Sequence, residues 1–160
     1  MNAKKIRQLW WPVVLGLFVI AGRIGAGFVL RVQRYRFDAL GDGTFGSDRH
    51  GHQHDGVDLV ADPGTSVYSP LAGYVVRLTY PYPGDERFHG VVLKGLDGLE
   101  VKLFYVLPSV AAGDRVAIGQ RVGTAEDVRA KYGDKMQAHV HVEYRQHGEV
   151  LDPSKYLHIV

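Results

Sequence analysis

Between Ala138 and Tyr144 the chain reads AHVHVEY, and this alternation leaves the segment little freedom. Side chains two apart on a strand share a face, so His139, His141 and Glu143 look one way and Val140 and Val142 the other. The valine face requires a second layer of protein over it. The other face belongs either to solvent or to a site. Far upstream stands HQHDGVDL (His52 to Leu59), in which His54 and Asp58 flank Gly56, a residue that lets the backbone bend. The chain contains no cysteine, which excludes disulfides, thiolate metal sites and a cysteine nucleophile. Any transition-metal site must therefore use histidine and carboxylate. One imidazole and one carboxylate from the upstream loop, with one imidazole from the strand, would give zinc three protein ligands and leave the fourth position to water, the catalytic arrangement. A plainer reading stands beside this one: eight histidines are a mild excess, and His50, His52, His89, His147 and His158 suit a surface equally well.

The N-terminal segment has a different character. Lys4, Lys5 and Arg7 precede an apolar stretch from Leu9 to Leu30 that is broken only by Arg23. As a helix this stretch is long enough to cross a hydrocarbon layer of about 30 Å, with Trp10 and Trp11 at one interface. Arg31, Arg34 and Arg36 follow, so the flanking charges balance and orientation stays open. A single-pass anchor over residues 9–30 is expected, with a cleaved signal or an assembly-forming helix as alternatives. The expected division is a basic, membrane-spanning segment over 1–37 and one domain over 38–160.

That domain reads as mainly β. Short β-rich runs (VDLV, SVYSP, GYVVRLTY, HGVVLKG, EVKLFYVL, DRVAIGQRVG and HVHVEYR) alternate with Gly, Pro and Asp-Gly signals. Leu96-Asp97-Gly98-Leu99 suits a hairpin turn. One short helix is expected, capped by Thr124, with Asp127 at the capping-box position and Val128 and Tyr132 on its apolar face. The net charge of +2 gives no electrostatic support for nucleic-acid binding.

Together these residues resemble the lysostaphin-like (LytM) zinc metallopeptidases, which cut peptide cross-links in bacterial cell walls. The resemblance runs through Phe45-Gly46 with Arg49, His54-Asp55-Gly56-Val57-Asp58, Pro63-Gly64-Thr65, Gly113-Asp114, Gly119-Gln120, His139 to Glu143 and Asp152-Pro153. It implies an antiparallel β-sheet sandwich, one zinc ion held by His54, Asp58 and His141, and His139 as a catalytic histidine. Glu143 would orient an imidazole or simply face solvent. One position departs from the pattern. Where active members carry Tyr-x-His before the Gly-Asp turn, this chain has Phe104-Tyr105-Val106-Leu107, so Val106 is expected where a histidine would stabilise the oxyanion. Tyr105 alternates to the opposite face and substitutes only if a bulge re-aims it. The Lys102 to Tyr105 run also resembles a secreted animal chemotaxin branch of this fold, which keeps the zinc site but acts by binding.

The implied function is a membrane-tethered endopeptidase acting on peptidoglycan peptides from the periplasmic or extracellular side. The alternatives are a zinc-bound pseudo-peptidase that grips wall peptide or a protein partner, and a component of a membrane or phage-particle assembly, with secretion as the other location.

Overall fold

The computed structural model describes residues 27–49 and 51–160. Its strands, in chain order, are β1 Phe37–Asp38, β2 Gly41–Asp42, β3 Gly56–Val60, β4 Ser66–Tyr68, β5 Gly73–Thr79 and β6 Gly90–Gly95. They continue with β7 Glu100–Phe104, β8 Val106–Pro108, β9 Arg115–Val116, β10 Arg121–Ala125, β11 His139–Gln146 and β12 Glu149–Leu151. The expected mainly antiparallel β architecture is what forms. AHVHVEY supplies the centre of it: β11 pairs antiparallel with β7 along one edge and with β3 and then β12 along the other. The main sheet continues from β7 through β6 and β5 to β9, and a second sheet holds β4, β10 and β8.

Register then sorts the faces. Val57, Leu59, Val101, Leu103, Val140 and Val142 point into one cluster with Val67, Val106, Val122 and Ala125 of the second sheet. Nearly all of these side chains are withdrawn from water, so the core is the layer between the two sheets. On the opposite face, Asp58 is the cross-strand partner of His141, which is in turn the partner of Phe104. A one-residue slip in either pairing would send these polar groups into the core, so hydrophobic burial holds this register. The expected hairpin at residues 96–99 is present: Gly95 N–H donates to Leu99 O at 2.8 Å, Gly98 takes φ +83°, and Asp97 Oδ1 accepts from Leu99 N–H.

Two expectations need correction. Thr124 lies inside β10, not at a helix start. The helix (α1) is a single turn, Arg129–Tyr132, preceded by Val128 without a side-chain cap. Asp127 instead accepts the Arg129 N–H at 3.1 Å. Val128 is buried as expected, whereas Tyr132 is 41% exposed. One turn is too short to bury a stripe of its own.

The second correction concerns the boundary at residue 37. Residues 9–26 of the expected anchor lie outside the described residues. Val29 and Leu30, its last two apolar residues, are 0% and 1% exposed in the core, so they cannot also lie in lipid. Gly27 bridges to Leu157, and Tyr35 pairs with Leu59 along the free edge of β3. The folded body therefore takes in 27–36 as well. Among the described residues no helix is long and apolar enough to cross a membrane. Replacing Leu30 by alanine should lower the stability of the body by about 2–5 kcal/mol, read as a shift of the urea unfolding midpoint. An unchanged midpoint would place Leu30 outside the core.

Candidate metal centre

The pairing of β3 with β11 sets Asp58 opposite His141, and the loop before β3 turns His54 onto the same spot. His54 Nε2 lies 3.0 Å from His141 Nδ1, His141 Nδ1 lies 2.9 Å from Asp58 Oδ1, and His54 Nε2 lies 3.2 Å from the same oxygen. Gly56 is needed here for space. A Cβ on it would come within 2.3 Å of Val142 O and 2.9 Å of the His141 ring. The bend expected at Gly56 is thus a close approach, since this residue begins a regular strand.

Each ligand candidate has its other polar atom committed. His54 Nδ1 lies 2.9 Å from Thr44 O. A carbonyl only accepts, so that nitrogen carries the proton and Nε2 keeps its lone pair. Arg49 Nη2 lies 3.1 Å from the same Nδ1, but both nitrogens carry protons, so this is a neighbour and not a bond. His141 Nε2 faces Glu143 Oε1 at 3.4 Å, leaving Nδ1 for the centre. Asp58 Oδ2 accepts from Arg36 Nε and Nη2 at 3.2 and 3.1 Å and from Arg49 Nη2 at 2.8 Å. Oδ1 is left to the imidazoles.

Burial alone would raise the Asp58 pKa, yet the hydrogen bond from His141 and the charge of that ring hold it well below the usual carboxylate range. Burial likewise opposes charge on His141, but the Asp58 and Glu143 carboxylates raise it to about 9. Two imidazole nitrogens and a carboxylate oxygen at these separations repel unless a cation, either a proton or a metal, sits among them. Ligand atoms about 2.0–2.1 Å from a tetrahedral ion are about 3.3 Å apart. The observed separations are within a few tenths of an ångström of that, so the donor set fits a metal ion, and it forms the one such histidine–carboxylate group among the described residues. Each supporting contact has the form expected behind a metal ligand.

Glu143 is only 8% exposed and receives Lys102 Nζ at 2.7 Å and Arg145 Nε at 3.3 Å. Despite its burial, the hydrogen bonds from His141 and Lys102 hold it down to about 2. It orients the His141 ring, and the solvent-facing alternative falls away. His139 is also buried. Its Nδ1–H donates to Gln137 O at 2.8 Å, and its Nε2 stands 3.8 Å from Asp58 Oδ1. Burial pushes its pKa below the ordinary imidazole value, so the ring is neutral at neutral pH and faces His54, Asp58 and His141.

Val106 is not in the site. It is fully buried in the core, its N–H donates to His89 O, and Tyr105 takes its expected place. The chain breaks between β7 and β8 at Tyr105, which has φ +60°. This conformation typically costs a non-glycine residue about 1–3 kcal/mol. It is pinned from both sides: Glu126 N–H donates to Tyr105 O at 2.9 Å, and the Glu126 carboxylate holds His89 through its N–H and Nδ1 at 2.8 and 2.7 Å. The break turns the Tyr105 ring edge-on to His139, 5.2 Å between centroids, into a cleft of about 480 Å³ that also contains His54, Asp58 and His141.

Comparison with known proteins agrees with this geometry. The model of peptidase family M23 matches residues 52–153. The chain belongs to that family. Leukocyte cell-derived chemotaxin-2 of mouse is 33% identical over 121 residues, covering 75% of this chain and 76% of the mouse protein. Among solved structures, the antimicrobial peptidase lysostaphin from Staphylococcus simulans superposes with a TM-score of 0.61 at 21% identity, over 78% of this chain and 49% of lysostaphin. The SpoIIQ–SpoIIIAH pore-forming complex matches with a TM-score of 0.59 at 20% identity, over 83% of this chain and 90% of the matched one. The two structural matches speak to the fold.

Within the M23 domain, the four residues singled out from sequence (His54, Asp58, His141 and His139) lie together. Sequence reasoning missed Arg36, which was read as a flank of the membrane segment, and it left Tyr105 as a doubtful substitute. The signal for Tyr105 was the conflict between its alternation and the site's need for a donor. Arg36 had no local signal, because only the Tyr35–Leu59 pairing sets it beside Asp58. In a zinc titration the full chain should bind one ion with high affinity, and H141A should bind at least a hundredfold more weakly. Equal stoichiometric binding by H141A would remove this residue from the ligand set.

Proposed function

We propose that this M23 domain is a zinc-dependent endopeptidase acting on the peptide cross-links of peptidoglycan, with His54, Asp58 and His141 as the residues that would hold the metal. The observation that carries the reading is the third histidine, His139. A purely structural metal site has no use for a buried neutral imidazole whose free Nε2 faces the ligands. Bound zinc would supply Lewis acidity, polarising the scissile carbonyl and acidifying a water. His139 Nε2 takes the proton of the attacking water and returns one to the leaving amine. The Gln137 carbonyl keeps His139 in the tautomer this requires. Arg36 and Arg49 hold Asp58 charged, and Glu143 keeps the His141 ring turned inward. A wall substrate lies outside the cytoplasmic membrane, so the proposed location of the domain is the periplasmic or extracellular side, tethered through residues N-terminal to the body.

The second reading is a metal-bound protein that grips wall peptide or a protein partner without cutting it. The likeness to leukocyte cell-derived chemotaxin-2 supports this reading, as does a tyrosine where active relatives are expected to use histidine. A place in a protein assembly would be consistent with the fold shared with the SpoIIQ–SpoIIIAH complex.

Zinc-loaded protein incubated with purified sacculi should release new amino termini, and H139A should lose about a hundredfold or more in rate while keeping its zinc. The acid limb of the rate profile should fall below pH 6.5, the ordinary imidazole value, because His139 must be neutral to act and its pKa is lowered. Sacculi bound but left intact by the loaded wild type would decide for the gripping reading.

A further inference from the structure

Beside the ligand cluster lies a feature that the metal chemistry leaves unexplained, a row of three phenols. Tyr82 Oη lies 2.7 Å from Tyr105 Oη and 2.8 Å from Tyr132 Oη. The three come from separate parts of the chain: the loop between β5 and β6, the break between β7 and β8, and the end of α1. Phe88 packs edge-on against Tyr105 with 5.8 Å between centroids, and Lys131 Nζ sits 4.1 Å from the centre of the Tyr82 ring. Tyr105 and Tyr132 line the same cleft as the histidines.

Three hydroxyls carry three protons, and two hydrogen bonds use two of them. One proton is always left over, on Tyr82 when both neighbours donate to it and otherwise at one end of the row. When Tyr132 donates to Tyr82 and Tyr82 to Tyr105, the spare proton is on Tyr105, beside His139. A substrate oxygen that gains negative charge in the cleft selects this polarity, because it offers an acceptor at the Tyr105 end. Resting on the endopeptidase reading above, we propose that Tyr105 is a catalytic residue that donates a hydrogen bond to the scissile carbonyl oxygen as it becomes tetrahedral, with Tyr82 and Tyr132 as the positioning residues that aim it. No proton leaves Tyr105. Its hydrogen bond shortens as charge develops and relaxes when the carbonyl re-forms, while His139 moves the protons of water and amine. Two further observations fit. The φ of +60° at Tyr105 is a strained conformation held by Glu126 and His89, and such strain concentrates at sites of function. Burial raises the Tyr105 pKa to about 12, so the phenol stays protonated at neutral pH.

The experiment compares the full-length, zinc-loaded wild type with Y105F, Y82F and Y82F/Y105F. Each is measured for zinc content, thermal unfolding, sacculus hydrolysis and calorimetric binding of acetohydroxamate, whose carbonyl oxygen stands in for that of the substrate. Phenylalanine keeps the ring and removes only the hydroxyl. Y105F is expected to keep its zinc and melting temperature, lose about a hundredfold to a thousandfold in kcat with KM little changed, and bind acetohydroxamate about threefold to tenfold more weakly. Y82F is expected to lose less than Y105F, and the double variant no more than Y105F alone, because Tyr82 acts only through Tyr105. A Y105F protein with wild-type kcat and wild-type acetohydroxamate affinity would overturn the proposal while leaving the endopeptidase reading intact. If the wild type cleaves no sacculus, that reading fails, and the acetohydroxamate comparison alone then decides whether Tyr105 is a donor into the site.

Discussion

The Asp58 carboxylate is almost wholly withdrawn from water, and it stays charged there with the His141 imidazole on one oxygen and two guanidiniums on the other. A lone carboxylate in such a place would cost several kcal/mol or take up a proton. With Arg36 and Arg49 on Oδ2, Oδ1 is free to face two imidazoles. Removing one partner of a buried pair of this kind typically costs about 3–5 kcal/mol. The influence of Arg36 also reaches past Asp58. Its Nη1 donates to Asp38 at 2.6 Å, Asp38 accepts the Gln137 N–H at 2.7 Å, and the Gln137 carbonyl holds His139. One buried arginine therefore braces both Asp58 and His139.

The strand that carries both imidazoles serves two surfaces at once. Its odd positions, His139, His141 and Glu143, face the cleft, and its even positions, Val140, Val142 and Tyr144, anchor it in the core. Rigid burial of the second set fixes the first, which is how a site on a strand gains precision over one on a loop. Tyr105 is the contrasting case. It lies at an interruption of the sheet, where a left-handed residue sends its ring into the cleft and lets Val106 return to the core. The interruption allows a tyrosine to stand where strict alternation would have placed a valine.

Much of this was legible in the chain itself. The period of two in AHVHVEY, the turn residues at 96–99 and the absence of cysteine led to an antiparallel β body with a histidine–carboxylate site. Residue type and spacing made His54, Asp58 and a histidine of the strand candidate ligands, and the resemblance to the lysostaphin-like peptidases implied His141 as that ligand and His139 as the catalytic histidine. The apolar run at 9–30 misled at its end, since hydropathy does not distinguish Val29 and Leu30 in a protein core from the same residues in lipid. Thr124 misled for a related reason: a good capping residue also fits a strand when tertiary pairing claims it.

By itself the sequence determined which side chains are available and which face of each strand they share, because alternation is a property of the local backbone. It could not determine what stands across from them. The opposition of Asp58 to His141, the approach of Arg36 along the edge of β3 and the meeting of three tyrosines from distant segments all depend on long-range register, which is set by burial of the valine face. The turn of Tyr105 into the site depends on a backbone conformation that its own residue type disfavours. Hydrogen bonds from Glu126 and to His89 hold it, and those partners exist only once the sheets have packed.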